Sequence, residues 1–238
     1  SVVQLPWVTG LQNNSTSAIN NLRRIGARRA ESKGETRRIE ERLGKLFESR
    51  GFQVLMNWHP DPESYPGAGE IDLICSRDGA ILVIEVKSTF LRHSEQEAWL
   101  HGKSTLRRAG KQLMRKVDAV QSALKDDPDI RSTFGIEYGG LIPEVRGWIV
   151  DTSIEHDHER FDGFLKISME EIIIALRDDR RLLNDPAGIL NSLPLKTQST
   201  NVTLSPALKS LYPDEFSALR FFEVIETEEV WVEALSLI

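Results

Sequence analysis

Asp72, Glu85 and Lys87 are the residues of this chain whose types and spacing could do chemistry. They lie in one stretch, Gly69-Glu70-Ile71-Asp72-Leu73-Ile74-Cys75-Ser76-Arg77-Asp78-Gly79-Ala80-Ile81-Leu82-Val83-Ile84-Glu85-Val86-Lys87-Ser88, in which two apolar, β-branched runs flank Asp78-Gly79. An Asp-Gly pair between such runs is the strongest short-range hairpin signal. A two-residue turn there pairs Arg77 with Ala80. The same register sets Asp72 opposite Glu85, with Cβ atoms roughly 4.5–5.5 Å apart. Lys87, two residues past Glu85, points to the same face. Like charges directly opposed destabilise a sheet unless something compensates them. A divalent cation is the expected compensator, because hard cations take carboxylate oxygens. The stretch therefore predicts a metal site at one end of a hairpin whose strands, apolar on both faces, are covered on both sides.

Asp72, twelve intervening residues and then Glu85-Val86-Lys87 resemble the D-x(n)-E-x-K signature of the PD-(D/E)XK nuclease superfamily. The local text of residues 69–74 and 83–87 is most similar to its Holliday-junction-resolvase-like members. The proline usual before the Asp is replaced by Ile71, a departure that many members of that branch share. The resemblance covers about residues 35–180. It implies an α/β fold of the restriction-endonuclease-like kind, a three-layer α/β/α sandwich with a central mixed β-sheet. It also implies metal-dependent hydrolysis of phosphodiester bonds in nucleic acid, as a DNA endonuclease. On that pattern Mg²⁺ or Mn²⁺ is the cofactor, held by Asp72, Glu85 and the Val86 carbonyl. Glu40, on an N-terminal helix, would bind a second cation or its water. Lys87 would orient the attacking water and stabilise developing charge, and Gln112 would lie near the metal. A nucleic-acid-binding or scaffolding protein on the same fold, without cleavage, is the alternative. An enzyme acting on small phosphorylated molecules is a third reading, weakened by the lack of a Gly-rich phosphate loop.

The surrounding elements must position these groups. Residues 35–50 are helical, with Ile39, Leu43, Leu46 and Phe47 in one stripe and Gly51 at the end. Glu40 falls at the margin of that stripe, where a carboxylate can lean over the sheet. Glu41 faces away, and Glu35 on the other flank competes with Glu40. Residues 52–57 read as a strand, followed by a proline-rich loop to residue 68. The segment 89–102, with His93, Trp99 and His101, is expected to border the substrate groove.

Residues 103–125 form the clearest helix. Leu106, Gly110, Leu113, Val117, Val120 and Leu124 make a core face. Lys103, Arg107, Lys111 and Arg115 recur every four residues on another face, with Arg108 and Lys116 beside them and no acid from Lys103 to Lys116. An unmixed row repels itself, so an anionic partner is the economical explanation. Lys103, Arg107, Arg108, Lys111, Gln112 and Arg115 are accordingly read as nucleic-acid contacts, with DNA expected. Val145–Asp151 predicts a strand parallel to the one carrying Glu85, with the helix as crossover. Residues 164–167 predict another strand, and Ser168-Met169-Glu170-Glu171 matches a capping box before an apolar run. His156 and His158, in the loop between, could ligate a metal, but no third ligand is evident and none is assigned.

The 238 residues are 40% hydrophobic and 28% charged, which fits one soluble domain with appendages. Three segments are expected: a basic N-terminal extension over residues 1–34, with Arg23, Arg24, Arg28 and Arg29; a nuclease-like domain over 35–182; and an acidic C-terminal extension over 183–238. The last could pack across the core, bind a protein partner or mask a nucleic-acid surface. A net charge of −6 argues against polycation behaviour, although the charge is unevenly placed. Cys75, the single cysteine, excludes an intrachain disulfide and a Cys-cluster zinc site. No apolar run reaches the roughly 18–20 residues that span a bilayer. The start, Ser1-Val2-Val3, lacks both Met and a basic n-region. A cytoplasmic chain without membrane contact is expected, the missing Met suggests either an excised region or a tag scar, and a homodimer is left open.

Overall fold

The sheet is built outward from the hairpin. Asp78 and Gly79 take φ of 52° and 73°, the left-handed pair that a type I′ turn requires. They join β2 (Ile71–Arg77) to β3 (Ala80–Lys87), and the ladder runs from Arg77↔Ala80 to Leu73↔Ile84 in the expected register. β1 (Gln53–Trp58) pairs antiparallel with β2, and β4 (Val145–Asp151) pairs parallel with β3. β5 (Arg160–Phe161) and β6 (Phe164–Ser168) complete a six-stranded mixed sheet of order β1-β2-β3-β4-β6-β5. The computed structural model describes residues 29–89, 92, 94–137, 140–179 and 210–235. His93, the side chain of Glu35 and most of the N-terminal arginine run lie outside the described residues.

The helices, in chain order, are α1 (Arg29–Ser49), α2 (Glu95–Leu100), α3 (Arg107–Asp126), α4 (Pro128–Thr133), α5 (Met169–Arg177), α6 (Ala218–Glu226) and α7 (Glu229–Leu235). On one face of the sheet, Leu43 and Phe47 of α1, Ile172 of α5 and Phe221 of α6 pack with Leu73, Leu82, Ile84 and Trp148. On the other, Leu113, Val117, Val120 and Leu124 of α3 pack with Ile74, Ile81, Val83 and Ile149. The result is an α/β fold of three layers, as expected. β3 is buried along all but its last residue, as a central strand covered on both faces should be.

Two boundaries differ from the sequence reading. α1 begins at Arg29, ahead of residue 35. Gly34 lies inside it, and a helix carries an interior glycine at a cost of about 1 kcal/mol. The helix expected from Lys103 starts as a π-helical turn, His101–Leu106, before α3 proper. That turn moves Lys103 out of the even four-residue row.

Two glycines matter for the site. Gly51 (φ 79°) ends α1, with Phe52 N–H donating back to Phe47 O at 3.2 Å, a Schellman closure. This sends the chain directly into β1. Gly110 lets α3 close against the β5–β6 hairpin, since a Cβ there would stand 2.5 Å from the Phe161 carbonyl oxygen.

The C-terminal residues pack across the α1 face: Leu211, Phe221, Phe222, Val224, Ile225 and Val230 share its core. They are tied to the hairpin turn, where Asp78 Oδ2 accepts from Ala218 N–H at 2.9 Å and Arg77 donates to the Phe216 carbonyl at 3.0 Å. Among the described residues, no helix is long and apolar enough to cross a membrane.

Candidate active site

The site forms where the hairpin ladder stops. In a two-residue hairpin the pairs 77/80, 75/82 and 73/84 exchange hydrogen bonds, so 71/86 would follow. The ladder ends at Leu73↔Ile84 instead, and the Val86 N–H donates to Asp72 Oδ2 at 2.7 Å. The strands part at this point, and the Asp72 carboxylate takes over the freed donor. Asp72 and Glu85 thus occupy neighbouring positions at the open end, as the register requires.

A compensator for their charge is present in the chain itself. The sequence reading assigns that task to a divalent cation and sets Lys116 beside the basic row without a role of its own. In the fold Lys116 takes a share of the task. Lys116 is buried, and its ammonium donates to Asp72 Oδ1 at 3.1 Å and to Glu85 Oε2. It bridges the two carboxylates from α3. Burial alone would lower the Lys116 pKa, but Glu85 and Asp72 outweigh it and raise it. Burial and the neighbouring Glu85 raise the Asp72 pKa, against the pull of Lys116 and the Val86 N–H. A signal for Lys116 does exist in the sequence: it follows Gln112 by four residues and Leu113 by three, on the inward edge of the helix.

Lys87 and Gln112 also converge here. Lys87 Nζ donates to Glu85 Oε1 and stands 3.5 Å from Gln112 Oε1. Glu40 leans in from α1 as the stripe margin suggests, and is 8% exposed. Its carboxyl is pushed up to about 7, by burial first and then by Asp72 and Glu70. With its amide nitrogen turned toward them, Asn57 donates to Glu70 Oε1 at 3.1 Å and Glu40 Oε2 at 3.3 Å. Neither Asn57 nor Glu70 stands out in the sequence. Asn57 adopts φ 52° opposite Asp72, where β1 leaves regular pairing.

Behind Lys87, its β4 partner Asp151 is fully buried. Asp151 accepts from Thr89 Oγ1 at 2.6 Å and Ser153 Oγ at 2.8 Å, and meets His101 Nε2 at 2.7 Å. Burial alone would raise the Asp151 pKa, but the His101 hydrogen bond, Lys166 and Thr89 hold it below the usual carboxylate range. The pair pins the π-helical turn to β4. Of the segment expected to border the groove, His101 is therefore a buried anchor, whereas Trp99 is exposed and carries the Lys103 ammonium 4.2 Å from its ring centre.

Lys103, Arg107, Arg108, Lys111 and Arg115 are all exposed, and Gln112 is half-buried between them and the carboxylates. The basic row thus runs beside the site along one helix. A cleft lined by Arg50, Arg77, Gly79 and Phe134 lies at the turn end of the hairpin and contains none of these residues.

The donors suit a hard dication: carboxylate oxygens around a point already filled by a cationic group. Asp72 and Glu85 flank that point, next to the Val86 backbone. Among the described residues, Asp72, Glu85 and Glu40 do not bring one oxygen each within 4.8 Å of the others. The three carboxylates thus do not form one close cluster.

Residues 30–150, half of the 238-residue chain, match a family described as a nuclease-related domain. No curated protein and no solved structure matches the chain. The matched stretch runs from the start of α1 to the end of β4, taking in the hairpin and α3 together, and the chain belongs to the NERD (nuclease-related domain) family.

Proposed function

We propose that this chain is a metal-dependent nuclease that hydrolyses phosphodiester bonds of nucleic acid, as a DNA endonuclease of PD-(D/E)XK type. The observation that carries this is the convergence of Asp72, Glu85, Lys87 and Gln112 at the open end of the hairpin, beside an acid-free basic row. Asp72, Glu85 and the Val86 carbonyl would hold Mg²⁺ or Mn²⁺, with Glu40 on a second cation or its water. Such a cation supplies Lewis-acid stabilisation of the phosphoryl oxygens and acidifies bound water.

The chain's own groups do the rest. The Val86 N–H fixes the Asp72 carboxylate, so ligand geometry is set before substrate arrives. Lys87, kept beside Glu85 and Gln112, directs its ammonium to where charge develops on the phosphate and orients the attacking water. Lys103, Arg107, Arg108, Lys111 and Arg115 hold the phosphate backbone without reading sequence. The likeness of residues 69–74 and 83–87 to Holliday-junction-resolvase-like proteins supports including branched DNA among the substrates.

The test is a panel of linear, circular, single-stranded and branched DNA, plus RNA, with Mg²⁺, Mn²⁺ or chelator. Cleavage should require the cation and vanish in Asp72→Ala and Glu85→Ala. Activity that survives both substitutions removes the site assignment.

One observation favours a second reading. Lys116 already bridges the carboxylates; if it never yields, the fold binds nucleic acid without cutting it. Calorimetric titration with Mn²⁺ separates the two, since carboxylate-dependent binding excludes a permanently closed site.

A further inference from the structure

A second group of ligand-type side chains lies beyond the family match, at the far side of β6. One ligand atom each from Asp157, His158 and Glu171 come within 4.8 Å of one another. We propose that these three residues form a transition-metal site of the zinc type, independent of the candidate active site. Its role is to clamp the loop before β5, the start of α5 and the α6–α7 turn together.

The orphaned oxygen in this group is the first reason. Glu171 is fully buried, and its Oε1 has no hydrogen-bond partner. Its Oε2 meets His158 Nε2 at 2.8 Å. A buried carboxylate oxygen without a donor is costly, and such groups commonly mark the place of an ion or water. The Trp231 indole N–H contributes a hydrogen bond to this carboxylate, but Oε1 has no partner in good bonding geometry.

The second reason is that the sequence offers Glu171 another task, which it does not take. In a capping box it would reach back to the Ser168 N–H. That N–H instead donates to Asp157 Oδ1 at 2.6 Å, while Ser168 Oγ still caps the Glu171 N–H at 3.4 Å. Glu171 is thereby free to face His158.

The donor chemistry fits. One imidazole nitrogen and two carboxylates are an ordinary zinc set, and tetrahedral bonds near 2.05 Å put ligand atoms about 3.3 Å apart. The His158–Glu171 contact, at 2.8 Å, is a little shorter than this, and the three ligand atoms all lie within 4.8 Å of one another. Glu228 Oε1 lies 3.8 Å from His158 Nδ1. That is beyond hydrogen-bond reach, but a shift of under about 1 Å in this exposed side chain would let it accept from Nδ1 and leave Nε2 with its lone pair outward, the outer-shell arrangement common at zinc sites. The ion would replace the proton that His158 and Glu171 now share. Lys166, buried and 3.4 Å from Asp157, offsets only part of the carboxylate charge gathered here, and the rest favours a dication. His158 and Asp157 are partly exposed at the side chain, at 11% and 17%, which gives a route of entry.

The test uses the full chain carrying Asp72→Asn and Glu85→Gln, so that the hairpin carboxylates contribute no cation affinity. After exposure to Zn²⁺ and dialysis, metal analysis should find one equivalent. Co²⁺ should give the visible bands of a tetrahedral nitrogen–oxygen site. Glu171→Gln, which keeps shape and the His158 contact, should abolish both without changing the metal-free circular dichroism spectrum. Glu228→Ala should weaken binding about 10–100-fold. His158→Ala is the complementary variant, and if it fails to fold, Asp157→Asn takes its place. No retained Zn²⁺ with the triad intact, or one equivalent still bound by both Glu171→Gln and the second variant, overturns the proposal and leaves an ion pair only.

Discussion

Replacing Lys116 by methionine tests the site most directly, because it keeps the aliphatic volume and removes one charge. In the wild type the ammonium contacts both Asp72 and Glu85, and the three side chains are only 6%, 15% and 3% exposed. Removing one partner of a buried ion pair typically costs about 3–5 kcal/mol, because the other charge stays behind. For a domain of this size, each kcal/mol is worth about 2–4 °C, so the metal-free melting temperature should fall by about 6–20 °C. The loss should be smaller at pH 5 than at pH 8. Asp72, whose pKa is already raised, can then take up a proton in place of the lost ammonium.

Divalent cations should reverse the defect. A unit charge about 4 Å away is worth of order 4 kcal/mol at an effective dielectric of 20. Even a third of that, about 1.4 kcal/mol, tightens binding tenfold. Lys116→Met should therefore bind Mn²⁺ at least tenfold more tightly than wild type. With the cation at about 100 times Kd it should regain about 2.7 kcal/mol of stability. Differential scanning fluorimetry with and without chelator, together with Mn²⁺ titration, reads both effects. An unchanged metal-free melting temperature with unchanged Mn²⁺ affinity would refute the idea that Lys116 holds the place of the cation.

Three further outcomes follow from the geometry. Lys87→Ala should keep Mn²⁺ affinity and lose about 10²–10³ in single-turnover cleavage rate, and Lys87→Arg should not restore it, because a guanidinium neither fits the same point nor gives up a proton. Charge reversal at Lys103, Arg107 and Lys111 should weaken DNA binding across sequences and flatten the salt dependence by up to about 0.9 per lost phosphate contact; binding unchanged at low salt would reduce the row to a solvated face. In chelator, the Glu40 contribution to stability should decline as pH rises from 4.5 to about 7, since the folded state holds that proton longer than the unfolded chain, and Glu40→Gln should remove this part of the pH dependence of the melting temperature.

Much of the site could be read from the sequence because a hairpin obeys simple rules. Asp78-Gly79 fixes the turn, the turn fixes the register, and the register brings Asp72 and Glu85 to the same end. Gln112 could be placed by helical periodicity. Lys116 could not be placed by charge, because a lysine beside five solvated cations looks like a sixth until the sheet beneath it is known. The consequence is energetic. Opposed carboxylates alone would make loss of either one neutral or stabilising. With Lys116 between them, Glu85→Ala leaves Lys116 and Lys87 each short of a partner, and the metal-free protein should lose stability instead.

The same limit explains the group at Asp157, His158 and Glu171. Sequence spacing shows ligands that are neighbours in the chain, so it offers His156 with His158. In the fold those two part: His156 Nε2 turns to the Ala98 carbonyl at 2.8 Å, and His158 turns to Glu171 on the next helix. Both histidines take φ of 60°, so the backbone between them does not alternate as a strand would. The third ligand comes from a capping motif that is only half used. A capping glutamate that abandons its cap is visible only once the Ser168 N–H is seen to have found Asp157. Charge placement in this protein is thus decided by which buried donor reaches which carboxylate first. Lys116 takes Asp72 and Glu85, Ser168 takes Asp157, and Glu171 keeps an oxygen that none of the described donors satisfies.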